Sequence, residues 1–123
     1  MIQAMQWARS QTNIVTDTRF VMLHSQTVRD DQLDQLGALG ITPSFFPGHI
    51  YYWGDKHYST FLGPSRANRM DPVASAIARN LTYTLHNDSP TIAMGSAKGY
   101  NTFIGIISHA VNRKTIKGRV LGA

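Results

Sequence analysis

The sequence predicts an α/β fold built on a parallel sheet. Three observations point there. Short apolar runs of β type occur at 20–23, 41–46 and 81–85. The stretches between them place apolar residues every three to four positions, the spacing of a helix with one buried face. Turn and cap residues punctuate the boundaries, and strands alternating with helices imply βαβ units with parallel pairing.

Taken in order, Met1 to Ser10 carries a weak helical pattern, with Ile2, Met5 and Trp7 beside Ala4 and Ala8. Gln11 to Asp17 reads as polar connection. Phe20 to Leu23 is a continuous apolar run, expected of a strand covered on both faces. Asp30 or Asp31 offers an N-cap for a helix carrying Leu33, Leu36, Ala38 and Leu39, and Gly40 follows as its stop. Ile41 to Phe46 is the second strand, with Pro43 marking an irregular or starting position. Pro47 to Tyr58 reads as a long aromatic loop, and Gly63-Pro64 as a turn. Asp71-Pro72 then looks like a capping Asp with proline at the first helical position, opening a helix through Val73, Ile77 and Ala78 to Asn80. Leu81 to Leu85 is the third strand and Pro90 to Lys98 a loop. Phe103 to Val111 is a final helix, and Lys117 to Ala123 an exposed end.

The 123 residues suffice for one ordinary domain with a sizeable core. No apolar run reaches the roughly 20 residues that a membrane span requires. The first ten residues lack the apolar stretch and cleavage site of a signal peptide, so a cytoplasmic protein with no membrane partner is expected. Cysteine is absent, which leaves His, Asp, Glu or a modified Lys as metal ligands, a set suited to zinc and similar divalent ions. The formal net charge of +5 is spread along the chain, densest at Arg113, Lys114, Lys117 and Arg119. No recognition motif accompanies it, so nucleic acid is not expected as a partner. Neither a G-x-G-x-x-G, a P-loop nor a G-x-S-x-G is present, so dinucleotide, nucleotide and α/β-hydrolase chemistry lack their signatures.

Two of the apolar runs end on metal-capable side chains. Val21-Met22-Leu23 leads into His24, and Thr84-Leu85 into His86-Asn87-Asp88. In parallel α/β folds ligands bind beyond the carboxyl ends of strands, so the two sites together suggest a hydrolytic metal centre or part of one. A neutral imidazole at His24 can bind a divalent cation, or be a satisfied structural histidine. Asp88 can ligate metal and accept a proton from water, while Asp88-Ser89-Pro90 is also good turn chemistry. His49 and Trp53, with flanking tyrosines, occupy a loop after a strand, where substrates are gripped or where aromatics pack under the loop. Arg66 can clamp an anionic group or lie on the surface.

In order and spacing these segments resemble the amidohydrolase superfamily, in particular its family 3 branch, which includes N-substituted formamide deformylase-like proteins. The resemblance is carried by Val21-Met22-Leu23-His24-Ser25-Gln26, Asp31-Gln32-Leu33 and Leu39-Gly40-Ile41-Thr42-Pro43-Ser44. It continues through Gly48-His49, Trp53-Gly54-Asp55, Gly63-Pro64 with Arg66, Thr84 to Pro90, and Ala110 to Thr115. It covers residues 19–90 closely and 109–122 again, within one domain segment spanning 1–123.

The resemblance implies a (β/α)₈ TIM barrel, of which this chain looks like strands six to eight with their helices. It implies that His24 and Asp88 are metal ligands, with zinc the expected divalent ion, and that Asp88 is the catalytic residue shuttling a proton. His49, Trp53 and Arg66 are the expected substrate-binding residues. The implied reaction is hydrolysis of an amide or related C–N bond in a small molecule by metal-activated water. The family's first-strand His-x-His, its strand-four bridging residue and its strand-five histidine have no counterpart here, and residues 91–108 depart from the usual loop. A complete barrel takes about 250 residues and a catalytic zinc about three protein ligands. A chain that needs a complementing N-terminal barrel segment is therefore expected. The alternatives are a non-catalytic remnant or interaction module and, further off, a small basic nucleic-acid-binding protein.

Overall fold

The computed structural model describes residues 2–11, 19–88 and 102–122. Its elements run α1 (Ile2–Gln11), β1 (Val21–Met22), α2 (Asp30–Ala38), β2 (Thr42–Phe45), α3 (Gly48–Lys56), α4 (Gly63–Asn68), α5 (Val73–Ala78), β3 (Thr84–Leu85) and α6 (Phe103–Asn112). A π-helical turn, His57–Phe61, joins α3 to α4. The three strands form one parallel sheet in the order β1-β2-β3. Val21 and Met22 lie opposite Thr42 and Pro43, and Ser44 and Phe45 opposite Thr84 and Leu85. Successive parallel neighbours joined through helices make an open α/β sheet, the arrangement of a segment of an α/β barrel. None of the described helices is long and apolar enough to cross a membrane.

Pro43 is accommodated inside β2 because the strand pairs with β1 and β3 over different residues. Thr42 donates its amide to Phe20 on the β1 side, so position 43 faces the other way, ahead of the Ser44–Thr84 pairing. The strands are shorter than the apolar runs. Phe20 and Leu23 flank a two-residue β1, and only Thr84–Leu85 of the third run pairs. Double-sided burial of the first run does not hold either. Val21 is 52% and Leu23 62% exposed, whereas Met22 between them packs on the core, so one face of the run is covered and the other is open.

The main core is Val28, Leu33, Leu36, Leu39, Ile41, Phe45, Val73 and Ala76, packed where α2 and α5 meet β2. Helix α2 starts one residue earlier than its acidic pair suggests. Arg29 is the N-cap and its amide donates to Gln32 Oε1, while Asp30 and Asp31 occupy the first turn, where the helix dipole favours negative charge. Gly40 follows α2 with φ +62°, the left-handed stop expected of it. Asn80 ends α5 in the same way, with φ +52°.

Two segments differ from the sequence expectation. The aromatic stretch after β2 is helix α3 rather than loop. Pro47 caps its start, and Ile50 and Gly54 fall on one buried face. The C-terminal tail is folded back onto the chain: Lys117 to Val120 are exposed as expected, and Leu121 is buried. Lys114 and Val120 pair antiparallel, and Leu121 is fully buried with Ile50 and Met70 in a second small core. Gly54 lets the tail approach, since a Cβ there would meet Thr115 Cγ2 at 2.7 Å and Leu121 Cδ1 at 2.8 Å. The loop expected at 90–98 lies outside the described residues.

Candidate functional site

The carboxyl ends of all three strands converge on one group of side chains. His24 lies two residues beyond β1 in a tight turn. Ser25 Oγ donates to the Met22 carbonyl at 2.8 Å, and His24 and Ser25 both take left-handed backbone, with φ +65° and +44°. His86 follows β3 directly, and its amide donates to the Phe45 carbonyl at 3.0 Å, so the sheet ladder fixes it. His49 enters from the first turn of α3, where its amide donates to the Phe46 carbonyl. Asp88 has φ +50°. Non-glycine residues in left-handed conformation carry a local strain cost, and such residues gather at functional sites.

His24 Nδ1 lies 3.1 Å from His86 Nε2, and their rings stack with centroids 4.9 Å apart. The His49 ring stands edge-on to His24 at 5.3 Å. Phe46, buried at the end of β2, underlies the group, with its ring 4.8 Å from His49 and 5.4 Å from His86. Trp53, one helical turn after His49, has its ring 6.0 Å from His49 and is 39% exposed, forming an open aromatic wall. The His86 imidazole is pushed below the usual histidine range, first by burial and then by His24, with Asp88 opposing the shift. A neutral His86 suits the contact with His24, since one nitrogen of the pair donates and the other accepts.

Sequence reading named His24, His49, Trp53 and Asp88, and treated His86 as a neighbour. The structure brings His24, His49, His86 and Trp53 together, and places Asp88 close enough to act on His86 electrostatically. Arg66 lies elsewhere. It is exposed on α4, its Nε donates to the Leu62 carbonyl, and it lines a surface groove with Thr27, Arg29 and Arg69.

Sequence reading missed two residues. Phe46 passed as an ordinary strand residue. Asp71 passed as a helix cap, yet its side chain is fully buried and its Oδ1 lies 3.4 Å from His49 Nδ1. The Asp71-Pro72 pair carries no local sign of this, because the partner is 22 residues earlier. Burial drives the Asp71 carboxyl upward, against the His49 hydrogen bond and charge, the Phe46 amide and the Arg113 cation.

The sequence matches the family described as "Amidohydrolase family" over residues 2–122. The chain belongs to the amidohydrolase family. Comparison with curated proteins gives no match, and neither does comparison with solved structures. Membership makes this amidohydrolase chain a hydrolase at family level, and such enzymes often use divalent metals. The donor types at the strand ends fit such an ion, being imidazole and carboxylate. Their number does not reach three, since no group of three His, Cys, Asp or Glu that could hold an ion occurs among the described residues.

Proposed function

We propose that this amidohydrolase chain supplies the strand-six to strand-eight side of a metal-dependent barrel of the N-substituted formamide deformylase-like type. The reaction is hydrolysis of an amide or related C–N bond in a small molecule. The observation that carries the proposal is the convergence of His24, His49 and His86 at the carboxyl ends of three adjacent parallel strands, with Asp88 beside them. Side chains in that position form the active site of barrel enzymes.

In the complete site His24 and Asp88 hold a divalent ion, zinc being the best match to their donors, and the ion's chemistry is activation of water. Asp88 takes up the proton of the attacking water and passes it to the leaving nitrogen. His49 and Trp53 form the wall against which the substrate lies. Arg66 faces a separate groove, and the proposal assigns it no step. The remaining ligands come from a complementing N-terminal barrel segment. The shortage of ligands among the described residues supports a chain that does not hydrolyse by itself.

Mixing the chain with strands one to five of a family member, in the presence of zinc, tests this. Hydrolysis of an N-substituted formamide is expected in the mixture, and His24→Ala or Asp88→Asn should lower it by at least about 100-fold. Equal rates for the unaltered chain and both variants would sink the proposal.

A further inference from the structure

We propose that Asp71 is a positioning residue that fixes His49 as the Nδ1–H tautomer, so that Nε2 faces a ligand as a hydrogen-bond acceptor. The functional consequence rests on the site proposed above; the tautomer does not. Three features of the geometry support it. The first is the contact itself. His49 Nδ1 and Asp71 Oδ1 are 3.4 Å apart, with the His49 side chain 13% exposed and that of Asp71 not exposed at all. A carboxylate on one ring nitrogen dictates which nitrogen carries the proton and how the ring is turned.

The second feature is that the Asp71 backbone is pinned on three sides. Its amide donates to the Gln26 carbonyl at 2.8 Å, two residues beyond His24. Its carbonyl accepts from Val73 N and from Arg113 Nη1. Arg113 also donates to the carbonyls of Asn68 and Met70, so a half-buried cation straps this turn. Asp71 takes left-handed backbone, with φ +46°, which an aspartate adopts at a cost. The turn is thus held rigidly in a conformation that a capping role does not require.

The third feature is that burying a carboxyl is unfavourable unless its partners repay it. Its second oxygen, Oδ2, is buried with no hydrogen-bond partner among the described residues. The oxygen that has a side-chain partner, Oδ1, is the one turned to His49 Nδ1, so the buried carboxyl is oriented on that ring. With Nδ1 committed to Asp71, the His49 ring has Nε2 left to accept from a donor such as the N–H of a secondary amide. The site would then select ligands that bring a donor to this point.

The test is ¹⁵N–¹H correlation of the imidazole groups in the full chain at roughly pH 8, above the ordinary histidine range. The expected result is a His49 ring whose Nδ1 carries a proton and whose Nε2 is the acceptor nitrogen. Asp71→Asn keeps an oxygen acceptor and should keep that tautomer, whereas Asp71→Ala should shift His49 towards the Nε2–H form. His24→Ala should leave the tautomer unchanged. A His49 proton found on Nε2 in the unaltered chain overturns the proposal. So does a tautomer that follows His24 rather than Asp71. Because no turnover is measured, failure of the proposed hydrolysis leaves these signals where they are.

Discussion

Individual residues show most sharply where chemistry and packing part company. His57 lies in the π-helical turn, and Gln26 Nε2 donates to its Nε2 at 3.2 Å. An amide NH₂ only donates, so His57 Nε2 is the acceptor and the proton sits on Nδ1, which is buried without a partner among the described residues. Burial, and secondarily His49, pushes its pKa below the usual histidine range. As the pH falls through about 6.5, the unfolded chain gains a proton at this residue while the folded chain does not, so stability is lost on that side. His57→Gln keeps an acceptor for Gln26 and does not titrate. Urea midpoints measured between about pH 7 and pH 5 should therefore fall less steeply in this variant. Asp71 acts with the opposite sign, since its carboxyl is pushed up and the folded chain holds that proton more tightly; it is common to both proteins and cancels in the comparison. At this scale the sequence singled out His24, His49 and Asp88 as candidates, because each closes or follows an apolar run. It concealed Asp71, whose role depends on a partner one helix and a π turn away and whose local sequence doubles as a helix start.

Among the elements, the C-terminal tail was the least legible. Lys114, Lys117, Gly118 and Arg119 are solvated, as they look, but one apolar residue, Leu121, anchors the tail by filling the space over Gly54. Helix α3 was hidden for a related reason. Pro47, Gly48 and Gly54 weaken its local propensity, and the burial of Ile50 and Gly54 against Leu121 and Thr115 overrides them. The elements with strong local signals, α2 with its leucines and Gly40, and α6 with its apolar run, were legible from periodicity alone. Leu121→Ala should cost about 2–5 kcal/mol of unfolding free energy, read by denaturant titration, because it empties a fully buried position. Arg113→Lys should cost about 2 kcal/mol, since a lysine cannot reproduce the planar fork that binds the carbonyls of Asn68, Met70, Asp71, Leu121 and Gly122. An Arg113→Lys midpoint equal to that of the unaltered chain would show that the strap is not stabilising.

For the molecule as a whole, the parallel alternation was plain in the sequence, and the openness of the sheet was not. An apolar run such as Phe20 to Leu23 reads the same whether neighbours cover it or not. Here Phe20, Val21 and Leu23 are exposed along a strand with one paired side among the described residues, the kind of edge that invites another strand. Sedimentation of the chain alone should show self-association, and Val21→Lys should reduce it without lowering the denaturation midpoint. Both expectations follow from the proposed barrel segment, whose site and sheet other strands would complete. The most direct test of that central claim is metal content and turnover of the purified chain by itself. Less than one tightly bound ion per chain, with no hydrolysis of N-acyl or N-formyl amines, is the predicted result. Stoichiometric metal together with hydrolysis by the chain alone would contradict it.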